Sequence, residues 1–560
     1  MVSRNLRILR MFYLMIVVCL FSLPAHAKYG GGTGEPNDPY EIATAEELIL
    51  LSESPEDYDK YFILTANIDL DPNLPGGKVF DRAVIAADTD DVERGFQGTY
   101  FTGVFDGNGH TVSRITIRGD DYLGLFGWLE YESEIRDLGV VNINIIGSGH
   151  RVGGLIGWNL GGRLVNCYST GTVNGDSYVG GLIGAVDLGG SIINCYSTST
   201  VSGSGEVGGL LGWNLYGSII NCYSTGTVSG HGAVGGLVGV NKGEINNCYS
   251  TSMVSGESLV GGLVGNHQYL STITNCYATG SVTGTRYVGG LVGVNDLWGE
   301  DRLGEVIFSF WDVETSGQTT SAGGTGKTTA EMQDPNTFMA SGWNFVGKSD
   351  GPSDIWAEPA GGGYPILWFQ PSPLSELPAF SEGAGEPNNP YLISTASDLN
   401  SIGHNPRLMD GHFMLTNDID LAGIDFYIIG SKTIPFTGVF DGNGFMVSNL
   451  SYASADTHYV GLFGHVYRPG KIKDLGLSDP NIDAGAGHYV SSLVGYLLGG
   501  NIKNSYVQDG SVTGTTYVGG LVGRNCSGTI TNCYSSAAVS GIWVIGGLVG
   551  YIDYEGGIIN

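Results

Sequence analysis

Tyr178-Val-Gly-Gly-Leu-Ile-Gly184 decides the fold, because it returns. Copies run from Val207 to Gly212, Val234 to Gly239, Val260 to Gly265 and Val288 to Gly293, a period of 26 to 28 residues. Relatives of the unit stand earlier, at 123–127 and 152–157, and later, at 460–464, 490–495, 518–523 and 545–550. A second block follows each copy, as in Ile192-Ile-Asn-Cys-Tyr-Ser-Thr198 and Ile219-Ile-Asn-Cys-Tyr-Ser-Thr225, and then a Val before the next Gly. Short runs rich in Val, Ile and Tyr, punctuated by Gly, Asn and Ser, read as strands and turns without a helical period. The pattern predicts three strand-like pieces per repeat. A repeat of this length fits one coil of a parallel β-helix, whose rungs pair about 4.8 Å apart. The expected fold class is all-β, a right-handed parallel β-helix (solenoid) in two tandem modules with short helical caps.

Aligned copies assign the faces. Three residues before the Cys position stand Leu164, Ile192, Ile219, Ile245, Ile273, Ile502 and Ile530, whereas the next position runs Val165, Ile193, Ile220, Asn246, Thr274, Lys503 and Thr531. The first is expected in the core and the second in water. A lone coil cannot fold: each buried aliphatic side chain contributes roughly 1.5–3 kcal/mol, against about 1.5 kcal/mol of ordering cost per residue. Stacked neighbours supply the rest. The paired glycines suit a tight bend or close backbone approach.

The unit, here Gly181-Leu182-Ile183-Gly184 and its copies over most of 101–310 and 436–560, resembles the GLUG motif family of secreted bacterial repeat proteins. The resemblance implies a surface β-helical scaffold with no agreed catalytic residues. Some members resemble large adhesins, and others carry the repeats beside a peptidase.

Arg4, Arg7 and Arg10 precede the apolar run Met11 to Leu23, then Pro24 and Ala25-His26-Ala27, the pattern of a secretory signal peptide over 1–27. Export to the outside or surface of the cell is expected, with no transmembrane span in the mature chain. Loss of the three arginines moves the formal charge from -30 to -33. A chain without a basic stripe is not a nucleic acid binder. Its 93 glycines suggest low complexity, but 42% hydrophobic residues are too many for disorder.

A longer duplication divides the chain. Gly34-Glu-Pro-Asn-Asp-Pro-Tyr40 matches Gly385-Glu-Pro-Asn-Asn-Pro-Tyr391, and Phe101 to Gly109 matches Phe436 to Gly444 residue for residue. Each module opens with a strand and a short helix at a capping pattern, Thr44-Ala-Glu-Glu47 or Thr395-Ala-Ser-Asp398. The expected domains are a cap over 28–100, a solenoid over 101–310, a closing segment over 311–370, a Pro-rich linker over 371–384, a second cap over 385–435 and a second solenoid over 436–560. Asn560 falls in mid-repeat, so a longer natural protein is expected.

Few constellations promise chemistry. Gly323-Gly-Thr-Gly-Lys-Thr328 lacks the first glycine of a phosphate-binding loop and reads as a glycine loop. Cys167, Cys195, Cys222, Cys248, Cys276 and Cys533 share one place in the repeat, each followed by Tyr, and read as a packing column rather than a metal or redox ladder. Asp106 and Asp441, in Phe-Asp-Gly-Asn-Gly, read as turn residues rather than catalytic acids. The acidic stretches at Asp69-Leu-Asp71 and Asp88-Thr-Asp-Asp91 read as solvated loops rather than calcium sites. No catalytic residue, metal site or cofactor is assigned.

One position varies while the scaffold repeats. The residue after each Gly-Leu-x-Gly is Trp128, Trp158, Ala185, Trp213, Val240, Asn266, Val294, His465, Tyr496, Arg524 or Tyr551. Variation on a solenoid edge is where specificity sits, and aromatic rings suit sugars or proteins. Trp128, Trp158, Trp213, Tyr496 and Tyr551 are thus the candidate ligand-binding residues, for an extracellular glycan or protein. The expected function is a non-catalytic, adhesive or ligand-binding surface scaffold. The alternatives are a carbohydrate-active β-helix enzyme, or the accessory region of a larger extracellular peptidase.

Overall fold

The computed structural model describes residues 28–36, 38–90, 95–296, 303–346, 355–359, 362–370, 380, 382–404, 408–432, 434–553 and 557–559. Residues 1–27, expected to be a signal peptide, most of the expected Pro-rich linker and part of the second acidic stretch lie outside the described residues. Two compact units emerge, Met1–Thr329 and Ala330–Asn560. Each is a parallel β-solenoid.

The coils carry up to five short strands, where three were expected. In one coil they are Ser177–Gly180, Ile183–Asp187, Ser191–Ile193, Tyr196–Ser197 and Thr200–Ser202. The extra breaks have local causes. A Cβ on Gly180 would collide with the Ile183 carbonyl oxygen, and one on Gly181 with the Gly209 carbonyl oxygen, so the glycine pair turns the chain where nothing larger fits. Before each cysteine, Asn194, Asn221, Asn247 and Asn275 adopt φ of 52–54°, the left-handed region that Asn tolerates best after Gly. These asparagines also bond rung to rung, Asn221 Nδ2 donating to Asn194 Oδ1 at 3.1 Å.

Register follows the sequence repeat. Val179 lies opposite Val207, Ile183 opposite Leu211, Ile192 opposite Ile219, Tyr196 opposite Tyr223 and Val201 opposite Val228. Like residues therefore stack in columns. The core columns are Leu182, Leu210, Leu237, Leu263 and Leu291, and Leu164, Ile192, Ile219, Ile245 and Ile273, all fully buried. The position expected in water is half covered at Val165 and Ile220, and Ile193 is buried, because neighbouring rungs shield it.

A third internal column is polar. Asn159, Asn214 and Asn241 are buried, and each side chain caps its own turn: Asn159 Oδ1 accepts from the Gly162 N–H at 2.8 Å, while its Nδ2 donates to the Gly162 carbonyl at 3.0 Å. Asn525 repeats the clasp on Gly528 in the second unit. His267 interrupts the column. Its Nδ1 lies 3.0 Å from Ser271 Oγ and 3.2 Å from Asn241 Nδ2, and burial pushes its pKa down to about 4.

The segments before the first repeats are built on the same sheets. Tyr40–Ile42 pairs with Tyr61–Leu64, which pairs with Val104–Asp106. Helix Ala45–Ser52 starts with a capping box, the Glu47 N–H donating to Thr44 Oγ1 at 3.2 Å and the Thr44 N–H to Glu47 Oε2 at 3.1 Å. It buries Leu48 and Leu51 against the first rungs. Helix Ala396–His404 opens the second unit's repeats with the reciprocal pair of Thr395 and Asp398.

Candidate functional site

The position after Gly-Leu-x-Gly lies on a strand that sends Ile183 and Val186 into the core in one coil. Ala185, next to Val186, points the other way. Trp158, Ala185, Trp213 and Val240 stack there in register, so the variable residues form a line along the unit. A second column runs beside it. Immediately before the Val-Gly pair or its counterpart stand Tyr122, Arg151, Tyr178, Leu259 and Tyr287 in the first unit and Tyr459, Tyr489, Tyr517 and Val544 in the second, with φ between 54° and 63°, whereas Glu206 and Ala233 hold the place in the two coils between Tyr178 and Leu259. Bulky residues rarely take this conformation, which costs on the order of 1–3 kcal/mol each. It swings the side chain over the variable line. The sequence reading missed this column, although its signal was visible: Tyr recurs before Val-Gly at 178, 287, 459 and 517, and before Val-Ser at 489.

In the first unit the two columns interleave into a ridge. The Trp128 and Trp158 rings are 4.1 Å apart, and Tyr122 stacks beside Trp158 at 5.9 Å. The Arg151 guanidinium lies over Trp158 at 4.5 Å, Tyr122 at 5.1 Å and Tyr178 at 5.4 Å. Tyr178 meets Trp213 edge to face at 5.2 Å, and Lys242 Nζ sits over Trp213 at 4.5 Å and Tyr269 at 4.9 Å. Rings and cations thus alternate along the edge. At its beginning the ridge is covered, since Phe96 and Tyr100 pack on Trp128 and leave it 8% exposed. Trp158 and Trp213 are half-buried.

The second unit builds the same ridge from different residues. Tyr459 stacks on Tyr489 at 4.8 Å, Tyr489 on Tyr517 at 5.1 Å, and His465 on Tyr496 at 5.0 Å. Arg524 lies over Tyr496, Tyr517 and Tyr551 at 5.4–5.6 Å. Here the cation is neutralised: Arg524 Nη2 donates to Asp553 Oδ2 at 2.8 Å. Burial raises the Tyr496 hydroxyl pKa, so it remains a neutral donor. Tyr551, at the last rung, is exposed.

The other constellations are structural. The five ladder cysteines of the first unit are free and buried, and the Cys167 N–H donates to Cys195 Sγ at 3.4 Å, a link repeated up the column. Burial lifts the thiol pKa of Cys167, Cys195, Cys222 and Cys248 well above its ordinary value, which leaves these groups unreactive. The tyrosines that follow them stack face to face at 4.7–5.0 Å from Tyr168 to Tyr277. Asp106 Oδ1 accepts from the Asn108 N–H at 2.7 Å and Oδ2 takes Arg136 of the next coil, and Asp441 repeats both bonds with Asn443 and Lys473. Asp69 and Asp71 pair with Arg114. Thr325–Lys327, inside the glycine loop, is a strand paired with Phe310–Asp312, where a phosphate cradle would open a helix. Among the described residues no cluster has the ligands for a metal ion.

The sequence of the coils can be set beside known proteins. The profile of the GLUG motif matches residues 148–174, 175–202, 203–229, 256–283 and 514–540. This chain carries GLUG repeats. Each matched stretch is one coil, and the unmatched coil holding Val234-Gly235 keeps the register of the GLUG coils on either side. The chain is 35% identical over 162 residues to "Halomucin" of Haloquadratum walsbyi, covering 28% of this chain and 2% of that protein. It is 32% identical over 192 residues to a "Putative Gly-rich membrane protein" of Evansella cellulosilytica, covering 27% of this chain and 22% of that one. The chain therefore matches only a small part of either relative's length. A solved structure described as "a putative immunoglobulin A1 protease from Bacteroides ovatus" is similar at a TM-score of 0.40 and 22% identity, over 61% of this chain and 96% of that one. Among the described residues no helix is long and apolar enough to cross a membrane.

Proposed function

We propose that this GLUG-repeat solenoid is an exported, non-catalytic surface scaffold that binds an extracellular glycan along its aromatic ridges. The observation that carries the reading is the recurrence of the ridge. Two units with different side chains at the variable position both build a line of rings and cations on the same edge of the coil. Core columns repeat because packing demands it, whereas nothing in the packing demands Trp at 158, Ala at 185 and Trp at 213. A straight ridge that advances about 4.8 Å per coil suits an extended polymer better than a globular partner. The relative named as a membrane protein favours a place at the cell surface.

The test is a glycan array probed with the purified chain beside a protein pull-down. Glycan binding that Trp213→Ala weakens supports the reading. A blank array with a folded sample overturns it, and a captured protein in its place assigns the ridge to a protein partner.

A further inference from the structure

Resting on that reading, we infer that the first unit's ridge recognises a linear anionic polysaccharide, one bearing uronate or sulfate groups, through Arg151 and Lys242. The chain holds 55 acidic residues against 25 basic ones, and its arginines are mostly spent on that excess: Arg82, Arg114, Arg136 and Arg163 each pair with a carboxylate within 4.0 Å. Arg151 and Lys242 are different. Both are half-buried, both lie on ring faces, and neither has a carboxylate within 4.0 Å among the described residues. Ring faces hold a cation in place without neutralising it. The guanidinium of Arg151 lies among the rings of Tyr122, Trp158 and Tyr178, and its forked N–H donors match a planar carboxylate or a sulfate.

The placement also fits a chain-like anion. Arg151 belongs to the coil of Trp158, and Lys242 lies three rungs further on, since Trp158, Ala185, Trp213 and Val240 are consecutive partners. Three rungs span about 14 Å, comparable to a few sugars of an extended glycan. Between the two cations, Tyr178 and the edge of Trp213 offer a hydroxyl and apolar C–H surface to the sugar rings. The second unit's ridge lacks this property, because Asp553 already holds Arg524. The acidic charge of the whole chain opposes the approach of a polyanion, and salt screens that repulsion over about 10 Å at 0.1 M. Contacts at the ring-held cations are screened less, so binding is expected to persist at physiological salt.

Binding of the purified chain to immobilised polygalacturonate, alginate and a sulfated glycan is measured at physiological salt, beside neutral cellulose oligomers, dextran and polyglutamate. Retention on the anionic glycans, weakened about tenfold or more by Arg151→Gln and by Lys242→Gln and unchanged by Lys503→Gln, at an exposed lysine of the second unit away from the ridge, is the expected result. Melting curves check that each variant is folded. Equal binding of neutral glycans, with Arg151→Gln silent, overturns the anionic specificity and leaves the ridge reading intact. Equal binding of polyglutamate overturns recognition of a glycan. A folded chain that retains none of these polymers overturns both.

Discussion

Gly209 and Gly547 occupy the same place in the repeat, one in an interior coil and one in the last coil that the structure describes. A Cβ on Gly209 would collide with the Gly236 carbonyl oxygen and Ser224 Oγ, whereas one on Gly547 would meet nothing within 4 Å. The same contrast holds for the Val-Gly pair, where Val207 is fully buried and its equivalent Ile545 is 46% exposed. Trp543 and Ile542 beside it are exposed as well. In those two columns no further rung follows among the described residues. A residue of this fold is thus defined by its repeat position only when a neighbour lies on each side. The coil supplies half of each contact, and the next coil supplies the other half.

The largest effect that could break this comparison comes from the glycines themselves. Gly209→Ala should destabilise its unit by about 3 kcal/mol or more, because backbone and a buried hydroxyl must both move. Gly547→Ala should stay within about 0.5 kcal/mol of the parent. Chemical denaturation of the two variants decides the matter, and equal losses would mean that the glycine acts within its own coil. In the core, Ile219→Ala should cost about 2–5 kcal/mol, the range for truncating a fully buried aliphatic side chain.

His267 sharpens the same point for a polar column. Its folded pKa of about 4 lies below the ordinary 6.5 because burial excludes the charged form. Above pH 6.5 the imidazole is neutral in both states and costs nothing. As pH falls from 6.5 to 4 the unfolded chain takes up a proton that the folded chain refuses, so stability drops, by on the order of 3 kcal/mol, and levels off below 4. Neighbouring coils carry Asn at this place, so His267→Asn should flatten that part of the pH–stability curve; an unchanged slope would assign it to other groups. The smallest effect belongs to the ridge. Arg151→Gln should change stability by about 1 kcal/mol, since a half-buried cation on rings contributes little more.

The sequence made the solenoid legible because parallel stacking converts a repeat directly into register: the Ile192, Ile219, Ile245 and Ile273 column is buried as its spacing implied. Strand number was less legible. The breaks at Gly180-Gly181 and Asn194 depend on backbone conformation, which a run of β-formers conceals. The ridge was half visible. Its variable column, with Trp158, Trp213 and Tyr496, stood out by failing to repeat, but Arg151 and Tyr178 reach it from left-handed positions that their residue types do not announce. Lys242 belongs to neither column and was invisible until the coils were stacked. Conversely, Trp128 looks like its fellows in the alignment, yet Phe96 and Tyr100 from a distant segment cover it.

The scaffold-and-ridge account is tested most directly by replacing Trp158 and Trp213 together with alanine and following folding and glycan binding in one sample. The account expects a chain with its β-sheet circular dichroism and cooperative melt retained, and its glycan binding lost. A folded double variant that binds the same glycans with unchanged affinity would contradict it.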